Sequence, residues 1–168
     1  MAESSEDETI KKTDHHRPFW HWLKSTSRRT FLIYPVLIAV LEWLLQGRLT
    51  FAPWGGALLI WGYLQFRLGG RYRTHHGGGG PGLDVPPERI VDTGIYAYIR
   101  NPMYLGHMIF MAGLAITFYS WAAVALLVFH LFWFDGRARE DEAHLETLFG
   151  DSYLAYKANT KRWLPFIY

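Results

Sequence analysis

The 168-residue chain has no cysteine. That excludes a disulfide framework, cysteine-based metal sites and thiol catalysis. Charge is sparse as well: 19% of residues are Asp, Glu, Lys or Arg, and the formal net charge is +2. So small and scattered an excess gives nucleic acid no basic surface. Residues 1–16 are polar and acidic with no apolar core near the start, so no cleavable signal is expected there. Gly77, Gly79 and Gly82 spell G-x-G-x-x-G, but neither a strand before it nor a helix after it is expected. A dinucleotide fingerprint needs both, and the stretch reads as a flexible linker.

Half the chain is apolar and 17% is aromatic, yet mean hydropathy is near zero because the charges lie outside the apolar blocks. Four such blocks run over 30–45, 52–68, 103–119 and 121–134. Each is at the short end of the ~17–25 residues of a spanning helix, and edge Trp, Tyr and Phe extend it into the headgroup layer. Helices of a soluble bundle need polar outer faces, which the last two blocks lack. The expected fold is all-α: a multi-pass integral membrane protein of about four transmembrane helices. Six Lys/Arg precede the first block, one follows it, five run from Arg67 at the end of the second block to Arg100 before the third, none lies between the third and fourth, and five come after. By the positive-inside rule both termini and the loop at 69–93 are cytoplasmic. Any site then faces the cytosol.

Residues 1–16 read as a disordered acidic tail, and 17–168 as one membrane domain that opens on an interfacial helix over 17–29. Pro35 is expected to kink the first span. Glu42, the one acid in the first two spans, lies near the outer end, within reach of the interface. The eight histidines lack the partners of a metal site, and no metal is expected.

The third and fourth blocks are joined by little more than Tyr119–Ser120, so they form a tight hairpin with neighbouring cytosolic ends. One end carries Tyr98, Arg100, Asn101, Pro102 and Tyr104. The other carries Asp135, Arg137, Arg139, Glu140, Asp141 and Glu142. If the fourth helix continues past the membrane, His130, Phe134, Arg137 and Asp141 share one side. The spacing of Leu145, Leu148 and Phe149, a stop at Gly150 and a short helix capped by Asp151 or Ser152 predict a cytosolic helical lid. Polar groups then converge at the mouth of an apolar hairpin, which suits a reaction between a water-soluble cofactor and a lipid-soluble substrate.

The string "TGIYAYIRNPMYLG", the hairpin, "R-x-x-x-D-E-x-x-L-x-x-x-F-G-x-x-Y-x-x-Y" and a closing "R-W-L-P" resemble the isoprenylcysteine carboxyl methyltransferase family, itself similar to the phospholipid N-methyltransferases. The likeness covers about residues 88–165. It implies methyl transfer from S-adenosyl-L-methionine, without a Rossmann domain, to a lipophilic or lipidated substrate that enters from the bilayer. It also implies cofactor contacts at Glu88, Arg89, Ile90, Val91, Tyr96, Asn101, Pro102, Met103, Tyr104, Asp141 and Glu142, with Arg137 gripping the substrate. The commonest family motif has His where this chain has Asn101, which removes imidazole chemistry from that point. His107 and His130 are candidate bases for an amine or thiol acceptor, and packed histidines otherwise. Rival readings are an NADPH-dependent sterol-type reductase, which a distantly similar hairpin suggests, and a non-catalytic membrane scaffold.

Overall fold

A computed structural model describes residues 25–80 and 85–163. The acidic tail, most of the expected interfacial helix, Gly82 and the closing Leu164–Pro165 lie outside the described residues. Helix α1 spans Thr26–Gln46, α2 Pro53–Gly77, α3 Pro102–Phe118, α4 Trp121–Phe149 and α5 Asp151–Asn159, with a 3-10 turn at Gly94–Ala97. No strand is present among the described residues, only an isolated parallel bridge between Ile99 and Lys161. The all-helical expectation holds.

Local chemistry sets the ends. Pro35 has no N–H to donate, and the turn before it widens to a π-helix over Arg29–Ile33, where the Tyr34 N–H reaches Arg29 O. Pro102 opens α3, where its missing N–H is no loss. Tyr119 turns left-handed (φ 48°), and Ser120 then caps α4 by accepting the Ala123 N–H at 3.1 Å. Two residues thus make the hairpin. Gly150, not Asp151 or Ser152, is the residue before α5.

One helix runs further than the sequence pattern indicates, and another continues as the shared face of His130 to Asp141 requires. Helix α2 continues through residues 69–77, expected as loop, because Gly69 and Gly70 are buried rather than breaking the helix. Gly69 lies against Pro102 and Met103. Helix α4 is continuous from the hairpin to Phe149, so the polar residues after 134 lie on an extension of the same helix.

Helices α2 and α3 pack antiparallel at very close range. A Cβ on Gly62 would lie 2.5 Å from Phe110 N and 2.6 Å from Gly106 O, so only glycine fits. This close approach fixes the two elements that later carry the site. Phe31 of α1, Phe66 of α2 and Phe134 of α4 surround the His107 ring of α3 at 4.7, 4.7 and 5.5 Å between centroids. All four helices therefore meet at one fully buried imidazole.

Two helices, Thr26–Gln46 and Trp121–Phe149, are long and apolar enough to cross a membrane, and the shorter Pro102–Phe118 is also apolar. Helix α2 carries Arg67, Arg71 and Arg73 in its second half. Leu37, Leu44, Ile60, Trp61, Phe129 and Phe132 all stand exposed, an outer surface suited to lipid rather than water. Trp43, Phe51, Trp54, Tyr119 and Trp121 are exposed around the end that holds the two short turns. Such a belt is typical of a membrane interface. These features associate the chain with a membrane. Glu42 does not reach that interface: it is buried and accepts from the Gln46 amide one turn on.

Candidate active site

At the opposite end, the last turns of α2, the first turn of α3, the extension of α4 and helix α5 enclose a cavity. Helix α3 supplies Pro102, Met103 and Tyr104, α4 supplies Asp141, Glu142, Leu145 and Phe149, and α5 supplies Tyr153 and Tyr156. The intervening loop adds Ile90, Val91, Tyr96, Arg100 and Asn101. Nine of the eleven residues expected at the cofactor site line this one space.

The two adjacent carboxylates have opposite surroundings. Glu142 is 2% exposed. Its Oε1 accepts from Arg100 Nε at 3.2 Å, Asn101 Nδ2 at 3.0 Å and Arg162 Nε at 3.1 Å, and its Oε2 accepts from Arg162 Nη2 at 3.0 Å. Burial pushes this carboxyl up, but the Arg162 and Arg100 guanidiniums outweigh it and hold the group below the usual carboxylate range. It is filled by the protein itself. Asp141 instead accepts the Tyr104 hydroxyl at 2.6 Å and lies 3.9 Å from Arg137, with a third of its side chain exposed. Its carboxylate lines the cavity.

Arg100 also explains the polar knot before α3. It donates to Lys157 O at 3.0 Å and to Thr160 O, while its backbone N–H reaches Lys161 O at 2.7 Å. Arg162 and Trp163 hold Asp135 at 3.2 and 3.3 Å, and the Tyr156 hydroxyl donates to Tyr96 O at 2.8 Å. The chain after α5 is thus strapped to the start of α3 and the extension of α4, and α5 forms the cavity's outer wall. Burial pushes the Tyr96 hydroxyl up to about 12 against the pull of Arg73, so it stays a neutral donor, bonded to Gly69 O at 3.2 Å.

Glu88 and Arg89 stand apart from the cavity lining. Glu88 accepts the Gly79 N–H at 3.3 Å, and Arg89 donates to His76 O at 2.6 Å, which ties the loop to the end of α2. Arg137 lines an adjoining cavity with Arg73, Pro86, Pro87, Asp141, His144 and Leu145. His107 and His130 line neither cavity; His130 pairs with the Tyr34 hydroxyl at 3.2 Å. Sequence reasoning missed Arg73, Tyr153, Tyr156 and the role of Arg162. The i, i+3 spacing of the two tyrosines in "Y-x-x-Y" was the available signal, since it puts both on one helix face. Arg73 gave none, because it falls in a stretch that reads as loop.

Residues 80–152 match the phospholipid methyltransferase family. The protein-S-isoprenylcysteine O-methyltransferase of Schizosaccharomyces pombe is 34% identical over 79 residues, 46% of this chain and 34% of the relative. The Saccharomyces cerevisiae enzyme of the same name is 30% identical, over 46% and 33% of the two chains. The Homo sapiens enzyme is 33% identical over 81 residues, 46% and 28%. The chain thus spans about a third of the length of the curated relatives it matches. The matched segment contains the hairpin, the start of α3, the Asp141–Glu142 pair and most of the cavity wall. Through that segment the chain is similar to the phospholipid methyltransferase family and to the protein-S-isoprenylcysteine O-methyltransferases.

Proposed function

We propose that the protein is a multi-pass membrane methyltransferase that uses S-adenosyl-L-methionine at its cytosolic face to methylate a lipophilic or lipidated acceptor. The observation that carries this is the cavity at the mouth of the α3–α4 hairpin, where Asp141 and Tyr104 stand over an apolar floor. Four helices, α1 to α4, would cross the bilayer, with α5 and its strap as the cytosolic lid.

The donor set fits the cofactor. Asp141 would accept from its ammonium or ribose hydroxyls, while Glu142, filled by two guanidiniums, holds Asn101 and the α3 start in place. The rings of Tyr96, Tyr104, Tyr153 and Tyr156 give a cationic centre aromatic faces, worth ~0.5–2 kcal/mol. The cofactor supplies an already activated methyl group, so the residues' task is to align the partners and keep the site dry. Arg137, one turn nearer the membrane than Asp141, would grip the acceptor's polar head, a task suited to its planar fork.

The test is ligand stabilisation and calorimetry on the purified protein. S-adenosylhomocysteine should raise the melting temperature and bind at one site, while NADPH should do neither. Stabilisation by NADPH alone would favour the reductase reading, and stabilisation by neither would favour a scaffold.

A further inference from the structure

We infer that the seam between α1 and α4 holds one anionic phospholipid, with its phosphate on Arg29 and its chains on the apolar faces beside it. The inference goes beyond methyl transfer and needs only that the chain sits in a membrane. Arg29 lies in the first turn of α1, ~25 Å before Gln46 at the rise of a helix. The hydrocarbon core of a bilayer is ~30 Å thick. With Gln46 at one edge of that core, Arg29 falls at the other, the depth of lipid phosphates.

The protein itself leaves this guanidinium short of partners. Nη2 donates to Thr26 Oγ1 over a long 3.4 Å, and Nε is buried with no hydrogen bond at all. The Trp133 ring of α4 backs the group at 6.0 Å, while the residue as a whole stays partly exposed. The polar groups nearby are occupied elsewhere. His130 gives its Nδ1–H to Leu126 O at 2.8 Å, so its Nε2 accepts the Tyr34 hydroxyl at 3.2 Å. Asp135 is held by Arg139, Arg162 and Trp163. Glu42, the one acid of α1, lies ~20 Å along the helix and bonds to Gln46. Among the described residues, then, no carboxylate balances Arg29. A cation so placed at a bilayer edge is costly until it finds a counter-charge.

Charge separates the fitting lipid from the rest of the bilayer. A zwitterionic head brings its own ammonium, which would meet Arg28, Arg29 and no unclaimed acid in the seam. A head such as phosphatidylglycerol brings negative charge alone, and a planar guanidinium matches its phosphate oxygens. Apolar surface continues inward from Arg29 on both helices: Leu32 and Val36 follow on its side of α1, and Phe129 stands one turn from Trp133 on α4. All three are more than half exposed, as acyl chains require. Arg67 and Arg71, exposed on α2, supply the comparison, since any surface arginine draws anionic lipid to some degree.

The experiment is native mass spectrometry of the full chain, released from detergent with phosphatidylglycerol and phosphatidylcholine of the same chains in competition. One phosphatidylglycerol should be retained in preference. Arg29→Gln should cut that preference about fivefold, the worth of one basic side chain at a lipid surface, whereas Arg67→Gln should not. Arg29→Lys should keep part of it. A second measurement needs no variant: phosphatidylglycerol with a diazirine in its head group should label residues 26–33 and 129–133 of the wild type more than 67–71, mapped by peptide mass spectrometry. Equal retention of the two lipids, a preference that survives Arg29→Gln, or labelling centred on 67–71 overturns the inference. So does glycerol 3-phosphate that raises the melting temperature as much as phosphatidylglycerol does, because a phosphate without chains would then suffice. Calorimetry with S-adenosylhomocysteine keeps the two ideas apart: wild type that binds no cofactor analogue sinks the methyltransferase reading, and normal cofactor binding with no lipid preference sinks this one alone.

Discussion

Asp141 and Glu142 are neighbours in sequence and opposites in role, which yields paired predictions. Asp141→Ala should weaken S-adenosylhomocysteine binding by about 1–3 kcal/mol, the value of a charge-assisted bond, with little change in melting temperature. Glu142→Ala should destabilise the fold by about 3–5 kcal/mol, because the largely buried Arg100 would lose its carboxylate and Arg162 would keep only Asp135. Because the folded Glu142 carboxyl lies below its ordinary value, its contribution is whole above about pH 4.3 and is lost as pH falls through the folded pKa. Melting temperature followed from neutral to acid pH should therefore show a decline that Glu142→Gln flattens. Arg137→Ala should leave cofactor affinity within about twofold and cut turnover about tenfold, equal to about 1.4 kcal/mol of transition-state stabilisation. Lysine at 137 should rescue it only in part. Loss of cofactor binding in Arg137→Ala would place that arginine in the cofactor site. The sequence presented the two acids as equivalent, because their difference lies in Arg162, twenty residues away and brought back by a strap that no local pattern announces.

At the scale of elements, α2 and α3 are held by what they lack. Gly55, Gly62 and Gly69 recur every seven residues and face α3, where Gly106 lies against Gly62 and Gly113 against Gly55 and Leu59. Small residues let membrane helices approach closely enough for packing alone to hold them. Gly62→Ala sets a methyl against backbone atoms that cannot move aside, and should destabilise by about 1–3 kcal/mol. Gly56→Ala, with open space around it, should instead stabilise α2 by about 0.5–1 kcal/mol. Thermal unfolding of both variants in one detergent checks the pair; equal effects would mean that the close approach contributes nothing. The four apolar blocks and the two-residue hairpin were legible because periodicity and turn chemistry are local. The length of α2 was not. Gly69–Gly70 reads as a helix end until Pro102 and Met103, more than thirty residues on, are known to cover it.

For the whole molecule, the open question is which way the site faces. The two short turns, at 47–52 and 119–120, share one end with an exposed aromatic belt, and the cavity lies at the other. Basic residues divide the same way: Arg48 alone falls between α1 and α2, none falls between α3 and α4, and among the described residues the others lie toward the cavity end. By the positive-inside rule that asymmetry predicts a cavity on the cytosolic side, in keeping with the proposed water-soluble methyl donor. The chain has no native cysteine, so single cysteines report cleanly. One at Gly78, in the turn that closes α2, and one at Asn159, the last residue of α5, should share accessibility. One at Gln46, the last residue of α1, should show the reverse. In intact cells a membrane-impermeant thiol reagent should modify only the Gln46→Cys protein, and permeabilisation should expose the other two. Modification of Gly78→Cys from outside would invert the molecule and remove its cavity from the cytosolic donor. Modification of all three before permeabilisation would mean that the helices do not span at all, and that their apolar faces are covered by protein instead.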